Sequence, residues 1–123
     1  MSSSRPKIVI CRTCVRDNPK KAPFTNFEEN AKYYQSLLKE GFFKKSADLH
    51  YQNCFAVCEN FHCVLVHHGH RGFLFKKISS VEKIHSLVAW VRKLEQGVVP
   101  EIPEDLQENL LKEVKEIETY KKF

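Results

Sequence analysis

The sequence has no apolar run near the roughly 18 residues that a membrane helix requires. Its amino terminus, Met-Ser-Ser-Ser-Arg-Pro-Lys, also lacks the apolar segment of a secretory signal. No internal repeat or low-complexity tract divides the 123 residues, and this length can bury a core without disulfides. We therefore expect a soluble, cytoplasmic protein with a single domain over 1–123, whose core is at 7–97.

Motifs for several functional classes are missing as well. We find no phosphate-binding loop, no paired nucleophile and base, and no recognised nucleic-acid-binding motif. The net charge of +5 comes from 20 basic and 15 acidic residues, which are interleaved as on an ordinary solvated surface. We expect a protein that is not an enzyme and binds neither nucleic acid nor membranes. Its basic surface would suit an acidic partner protein.

What the sequence does contain is five cysteines in two groups. The first group is Cys11 and Cys14, and the second is Cys54, Cys58 and Cys63. An odd number does not suit a disulfide framework, and intracellular thiols stay reduced. Tetrahedral metal sites and iron–sulfur clusters bind four thiolates, usually as two close pairs from distant segments. The spacing therefore predicts one metal centre.

Hydrophobic periodicity predicts a mixed α/β fold in the order β-α-β-β-β-α. The expected strands cover 7–11, 47–52, 63–68 and 72–78. The helices are expected to begin at the capping boxes Thr25-x-x-Glu28 and Ser79-x-x-Glu82 and to end at Gly41 and Gly97. This is the layout of a thioredoxin-like fold with a four-stranded mixed sheet.

A further helix is predicted at the carboxyl end, over 103–123. Leu106, Leu110, Val114 and Ile117 recur there at helical spacing.

The first two strands are expected to be parallel neighbours. Ligand sites of open α/β sheets lie at the carboxyl ends of strands, so Cys11 and Cys54 should meet at one edge.

Three chemistries suit such a thiol site. A [2Fe-2S] cluster and Zn²⁺ both accept paired thiolates. Dithiol redox chemistry at Cys11 and Cys14 is disfavoured, because about ten residues separate Cys14 from a helix start that would lower its thiol pKa. A metal-free interaction module is the remaining alternative, and Cys63 by itself also suits a small buried apolar position.

Three segments resemble a family of small bacterial proteins described as predicted metal-binding. They are Val9-Ile10-Cys11-Arg12-Thr13-Cys14, Cys54-Phe55-Ala56-Val57-Cys58 with Cys63 shortly after, and Gly72-Phe73-Leu74-Phe75. The cysteine placement is also similar to that of thioredoxin-like [2Fe-2S] ferredoxins and of the ferredoxin-type subunit of NADH:quinone oxidoreductases. The resemblance covers residues 7–103.

The resemblance implies a [2Fe-2S] cluster that serves electron transfer or redox sensing with a redox partner protein. Cys11, Cys54 and Cys58 would be ligands, and Cys14 would be the natural fourth. The ferredoxins space their first two cysteines more widely, so Cys63 stays an alternative to Cys14. The chain is expected to be a monomer or a homodimer, and a cysteine-ligated zinc protein with a structural or metal-handling role is the alternative function.

Four histidines form a second cluster, and we expect most of them at the surface. They are His62, His67, His68 and His70. Histidine ligation would instead indicate zinc, copper or a Rieske-like cluster. His67 and His68 are adjacent on a predicted strand, so their side chains should point to opposite faces.

Overall fold

The computed structural model describes seven segments of the chain. They are residues 6–12, 27–39, 48–52, 62–68, 71–95, 101–114 and 121–122. Within them the fold is mixed α/β, with one sheet and three helices. The elements in chain order are β1 (Lys7–Cys11), α1 (Phe27–Lys39), β2 (Asp48–Gln52), β3 (Val64–His68), β4 (Arg71–Phe75), α2 (Val81–Glu95), α3 (Glu104–Gln107), β5 (Leu110–Val114) and β6 (Lys121–Lys122).

The strands of the described segments form one sheet in the order β5-β4-β3-β1-β2-β6. The neighbouring strands β1 and β2 are parallel, and every other neighbouring pair of described strands is antiparallel. Parallel pairing is possible because a helix, α1, lies in the connection between the two strands. The carboxyl ends of β1 and β2 therefore lie at the same edge of the sheet.

One face of the sheet carries the main hydrophobic core. Strand residues with side chains on this face, such as Ile8, Val66 and Phe75, cluster with the apolar stripes of α1 and α2. Trp90 of α2 packs edge-on against Phe73 and Phe75, with ring centroids 5.2 and 5.6 Å away. Because complete burial of a large apolar side chain contributes about 1.5–3 kcal/mol, this cluster supplies much of the stability.

The opposite face of the sheet is buried as well. Val9, Leu65 and Leu74 alternate with core residues along their strands and are at most 4% exposed. None of them belongs to the main core cluster. Continuous apolar runs such as Lys7–Cys11 are typical of strands that are covered on both sides.

The predicted strands and the first two helices are confirmed to within a few residues. The cap of α2 differs from the prediction: the Ser80 hydroxyl, not that of Ser79, accepts the Lys83 N–H at 3.2 Å. A hydroxyl at this position satisfies one of the N–H groups that the first turn leaves without a carbonyl partner. No described helix is long and apolar enough to cross a membrane.

Two predictions about the sheet and the carboxyl end are wrong. The described sheet has five strands of five residues and the two-residue β6, not four strands. In the described part of the range 103–123, the only helical residues are the single turn of α3, and Leu110–Val114 forms an edge strand beside β4. Pairing with the open N–H and C=O groups of β4 outweighs the helical spacing of a few apolar residues.

Hydrogen bonds hold α3 against α2. The Lys83 ammonium donates to the main-chain carbonyl of Asp105 and, at 3.1 Å, to the Glu108 carboxylate. The Ser86 hydroxyl donates to the Asp105 carboxylate. Leu106 is completely buried between these contacts and joins the main core. These contacts fix the point from which the chain enters β5.

Candidate functional site

Two of the five cysteines lie at one edge of the sheet, where β1 ends and β3 begins. Cys11 is the last residue of β1 and pairs with Gln52, the last residue of β2. On the other side of β1, Ile10 pairs with Val64, the first residue of β3. Cys63 directly precedes Val64, just outside β3, so continuing the antiparallel register by one residue sets Cys63 opposite Cys11.

From the continued register we infer that Cys11 and Cys63 lie on the same face of the sheet. Cys11 alternates with Ile10, and Cys63 with Val64, and both of these neighbours belong to the main core on the other face. Cys11 is 2% exposed and Cys63 is 1% exposed. Opposite residues of an antiparallel pair have Cα atoms about 4.5–5.5 Å apart and neighbouring side chains. The register and the burial together indicate that these two thiols are neighbours.

The other three predicted ligands, Cys14, Cys54 and Cys58, lie outside the described residues. Chain length limits how far they can be from the edge. In the sequence, Cys54 follows Gln52 by two residues, Cys14 follows Cys11 by three, and Cys58 precedes Cys63 by five. Each of the three cysteines is therefore joined by a short stretch of chain to Cys11, Gln52 or Cys63, which lie at the same end of the sheet.

The described residues alone do not complete a metal site. Among these segments no group of three or more histidine, cysteine, aspartate or glutamate side chains is placed to hold a metal ion. A four-thiolate centre therefore requires cysteines from the adjoining segments. The exposed Arg12 follows Cys11 directly in the sequence.

His50 lies beside the thiol pair, although the sequence analysis did not single it out. It pairs with Val9, two residues before Cys11, and alternates with the core residue Leu49. His50 is therefore on the same face as Cys11, and it is only 7% exposed. The alternation within 48–52 could have indicated this face, but only the register of β1 and β2 places His50 near Cys11.

The expected surface placement is wrong for two of the four clustered histidines. His62 is 5% exposed and His67 is 3% exposed. His62 directly precedes Cys63, and its carbonyl accepts the Ile78 N–H at 3.0 Å. His67 pairs with Lys7 at the far end of β1. It lies four residues beyond Cys63, about 13 Å along the strand, which is too far to share a metal with the thiol pair.

The remaining two histidines do not contribute to the thiol edge, which is the end of the sheet that carries Cys11 and Cys63. His68 is half-buried and pairs with Arg71, also at the far end of β3. Burial lowers the pKa of His68 and so favours its neutral form. His70 lies outside the described residues. Of the clustered histidines in the described segments, only His62 is adjacent in sequence to a thiol.

A cavity of about 520 Å³ lies on the core face, between α2, α3 and the outer strands. It is lined by Arg71, Phe73, Trp90, Glu101, Ile102, Gln107 and Glu113. Arg71 donates two hydrogen bonds to Glu113, at 3.0 and 3.2 Å, and its guanidinium lies 4.9 Å from the centre of the Phe73 ring. Among the described residues, no cysteine or histidine lines this cavity, and neither Cys11 nor Cys63 contributes to it.

Comparison with known proteins identifies no family. No family model, curated protein or solved structure matches the chain. The resemblance to predicted metal-binding proteins and ferredoxins therefore stays a prediction. The functional argument depends on the position of the cysteines in the sheet.

Proposed function

We propose that this protein binds a metal centre through thiolates at the edge where β1 and β2 end and β3 begins. The leading candidate is a [2Fe-2S] cluster that serves electron transfer or redox sensing with an acidic partner protein. One observation supports the proposal: Ile10 pairs with Val64, and each is directly adjacent to a buried cysteine. When this register is continued by one residue, Cys11 and Cys63, which are 52 positions apart in the sequence, face each other.

The chemistry of these side chains fits the proposed centre. Thiolates are soft ligands, which select zinc, Cu(I) and iron–sulfur clusters over hard cations such as Mg²⁺ or Ca²⁺. Burial of Cys11 and Cys63 limits access of water to a centre at this edge. When bound, a [2Fe-2S] cluster supplies one-electron chemistry, and the chain supplies ligands, burial and hydrogen bonds to sulfur.

The ligand set that this geometry favours is Cys11, Cys54, Cys58 and Cys63. Continuing the register by one residue sets Cys63 opposite Cys11, whereas Cys14 is related to this site only by following Cys11 three residues later in the sequence. Cys14 is the alternative fourth ligand.

The strand order supports a thioredoxin-like fold as part of the proposal. The inner strands follow the order β4-β3-β1-β2, with β1 and β2 parallel and the other two pairs antiparallel. Together with α1 and α2 they reproduce the predicted β-α-β-β-β-α layout. β5 and β6 extend this inner sheet at its two edges.

Purification without oxygen tests the identity of the centre. A [2Fe-2S] protein is expected to be red-brown and to give an EPR signal after reduction, whereas a colourless protein with one zinc per chain would establish the zinc alternative. A protein that lacks both iron and zinc, and does not take up either metal from an anaerobic solution containing iron and sulfide or zinc, would overturn the proposal.

Single cysteine-to-serine variants test the ligand set. We expect Cys11→Ser, Cys54→Ser, Cys58→Ser and Cys63→Ser to lose most of the bound metal, and Cys14→Ser to retain it. Cys14→Ser is the matched control, because it makes the same chemical change close to the same edge. Circular dichroism of each variant would separate loss of a ligand from loss of the fold. Metal loss in Cys14→Ser with retention in Cys63→Ser would reverse the assignment of the fourth ligand.

A further inference from the structure

We propose that Cys11 and Cys63 form a reversible disulfide with each other when no metal is bound. The protein would then have an oxidised state, in which these two sulfur atoms are bonded to each other, in addition to its metal-loaded state. This inference deepens the proposed function, because the same two sulfur atoms would serve both states. It does not require that the metal be iron or zinc.

The geometry of the two strands carries this inference. A disulfide requires Cα atoms about 4.4–6.8 Å apart, with the two side chains directed toward each other. Opposite residues in an antiparallel pair are about 4.5–5.5 Å apart, which is within that range. Continuing the register one residue beyond the Ile10–Val64 pairing relates Cys11 and Cys63 in this way, and both cysteines are buried and lie outside the main core cluster.

The chemical step is exchange with a small disulfide such as oxidised glutathione. One cysteine thiolate attacks a glutathione sulfur, which forms a mixed disulfide and releases one glutathione. The second cysteine thiolate then attacks the protein sulfur of the mixed disulfide and releases the second glutathione. The two protein thiols lose two electrons, and the two released glutathione thiolates take up the two thiol protons.

Burial determines the conditions under which the exchange occurs. Because Cys11 and Cys63 are at most 2% exposed, the oxidant reaches them only when this edge of the sheet opens transiently. We therefore expect slow oxidation in buffer and faster oxidation in urea concentrations below the unfolding transition. Bound metal would protect both sulfurs, because a coordinated thiolate is not available for exchange.

Peptide mapping can identify this disulfide directly. Metal-free protein is incubated with oxidised glutathione, the remaining thiols are alkylated, and the chain is digested with trypsin and a glutamate-specific protease. Cleavage after Lys7 and Arg12 isolates Cys11 in peptide 8–12, and cleavage after Glu59 and Arg71 isolates Cys63 in peptide 60–71. Cys14 then lies in 13–16, and Cys54 and Cys58 lie in 46–59.

The expected result is that peptides 8–12 and 60–71 are recovered as one linked species that dithiothreitol separates. Cys14→Ser is expected to form this species at an unchanged rate, and Cys63→Ser should lose it. If peptide 8–12 is instead linked to 13–16 or to 46–59, or is recovered only in alkylated form, the inference is overturned.

Two outcomes keep this inference distinct from the proposed function. If the linked peptides form in a protein that binds neither iron nor zinc, the disulfide is confirmed and the metal centre is excluded. If the metal binds and the metal-free protein forms no linked peptides, the metal centre is confirmed and the disulfide is excluded.

Discussion

Two hydrogen bonds, one in each direction, connect Asn109 and Lys76. The Lys76 N–H donates to the Asn109 carbonyl at 2.7 Å, and the Asn109 side-chain amide donates to the Lys76 carbonyl at 2.9 Å. The same amide also lies 3.4 Å from the carbonyl of Lys77. Asn109 directly precedes β5, and the register of β4 and β5 shifts between Leu74 and Phe75. This contact therefore joins the end of β4 to the start of the edge strand.

We expect Asn109→Ala to lower the free energy of unfolding by about 1–2 kcal/mol, because it removes the donor for two main-chain carbonyls in a buried place. Urea denaturation followed by circular dichroism would measure the change. Lys112→Ala, an exposed position in β5, is the control and should change stability by less than about 0.5 kcal/mol. A stability of Asn109→Ala equal to that of the control would show that the side-chain amide contributes nothing.

Lys77 has a left-handed backbone, with φ of 56°. A side chain with a Cβ is strained there and glycine is not, so Lys77→Gly should raise the free energy of unfolding by about 0.5–1 kcal/mol. Lys32→Gly makes the same change in the interior of α1 and should lower stability by about 1 kcal/mol. Thermal unfolding of both variants would test the prediction. Equal losses at the two positions would argue against strain at Lys77.

The Arg71–Glu113 pair across β4 and β5 predicts a dependence on acid pH. The hydrogen bonds from Arg71, and then its charge, hold the pKa of Glu113 below its ordinary value of 4.5. The unfolded chain therefore takes up a proton at a higher pH than the folded chain does. The contribution of this pair to stability is present above pH 4.5 and is lost as the pH falls through the lower folded-state pKa.

The difference in unfolding free energy between the wild type and Glu113→Gln should consequently shrink as the pH falls below 4.5. Both side chains are about half exposed, so the difference should be small and should decrease further in high salt. Urea titrations at a series of pH values would measure it. Glu104→Gln, at an exposed position in α3, is the control. A difference that grows toward acid pH would contradict the assigned direction of the shift.

The inner strands and the long helices can be predicted from the sequence because local signals agree there. Lys7–Cys11 is β-branched and too short for a helix, and the confirmed bounds of β1 are those that the pattern predicts. In Leu110–Val114 the local signals mislead. Apolar residues four positions apart indicate a helix, and only the open edge of β4, which no local pattern reveals, explains a strand.

The candidate site is predictable only in part, for a related reason. Motif spacing points to the cysteines, and the position of Cys11 at a strand end follows from the pattern of β1. The relation between Cys11 and Cys63 depends on which residue of β3 lies opposite Ile10, and a shift of one residue would place Cys63 on the other face. Long-range packing sets such a register, and the spacing of residues along the sequence does not reveal it. That spacing points to Cys14, not Cys63, as the fourth ligand.

Metal removal provides the final prediction, because the proposed centre links β1 to β3 and to the segments beyond β2. A ligand that binds only the folded state stabilises it in proportion to the logarithm of its free concentration over its dissociation constant. We therefore expect chelation to lower the midpoint of thermal unfolding, by an amount that increases with the affinity for the metal. Calorimetry of the loaded and metal-free protein would measure this difference.

Cys11→Ser should abolish the difference between loaded and metal-free protein, because it removes the thiol at the end of β1. Cys14→Ser should preserve the difference if Cys63 is the fourth ligand. A wild-type midpoint that does not change when bound metal is removed would mean that the metal is held away from the sheet edge. Cys11 and Cys63 would then serve as small buried side chains that help to pack this end of the sheet.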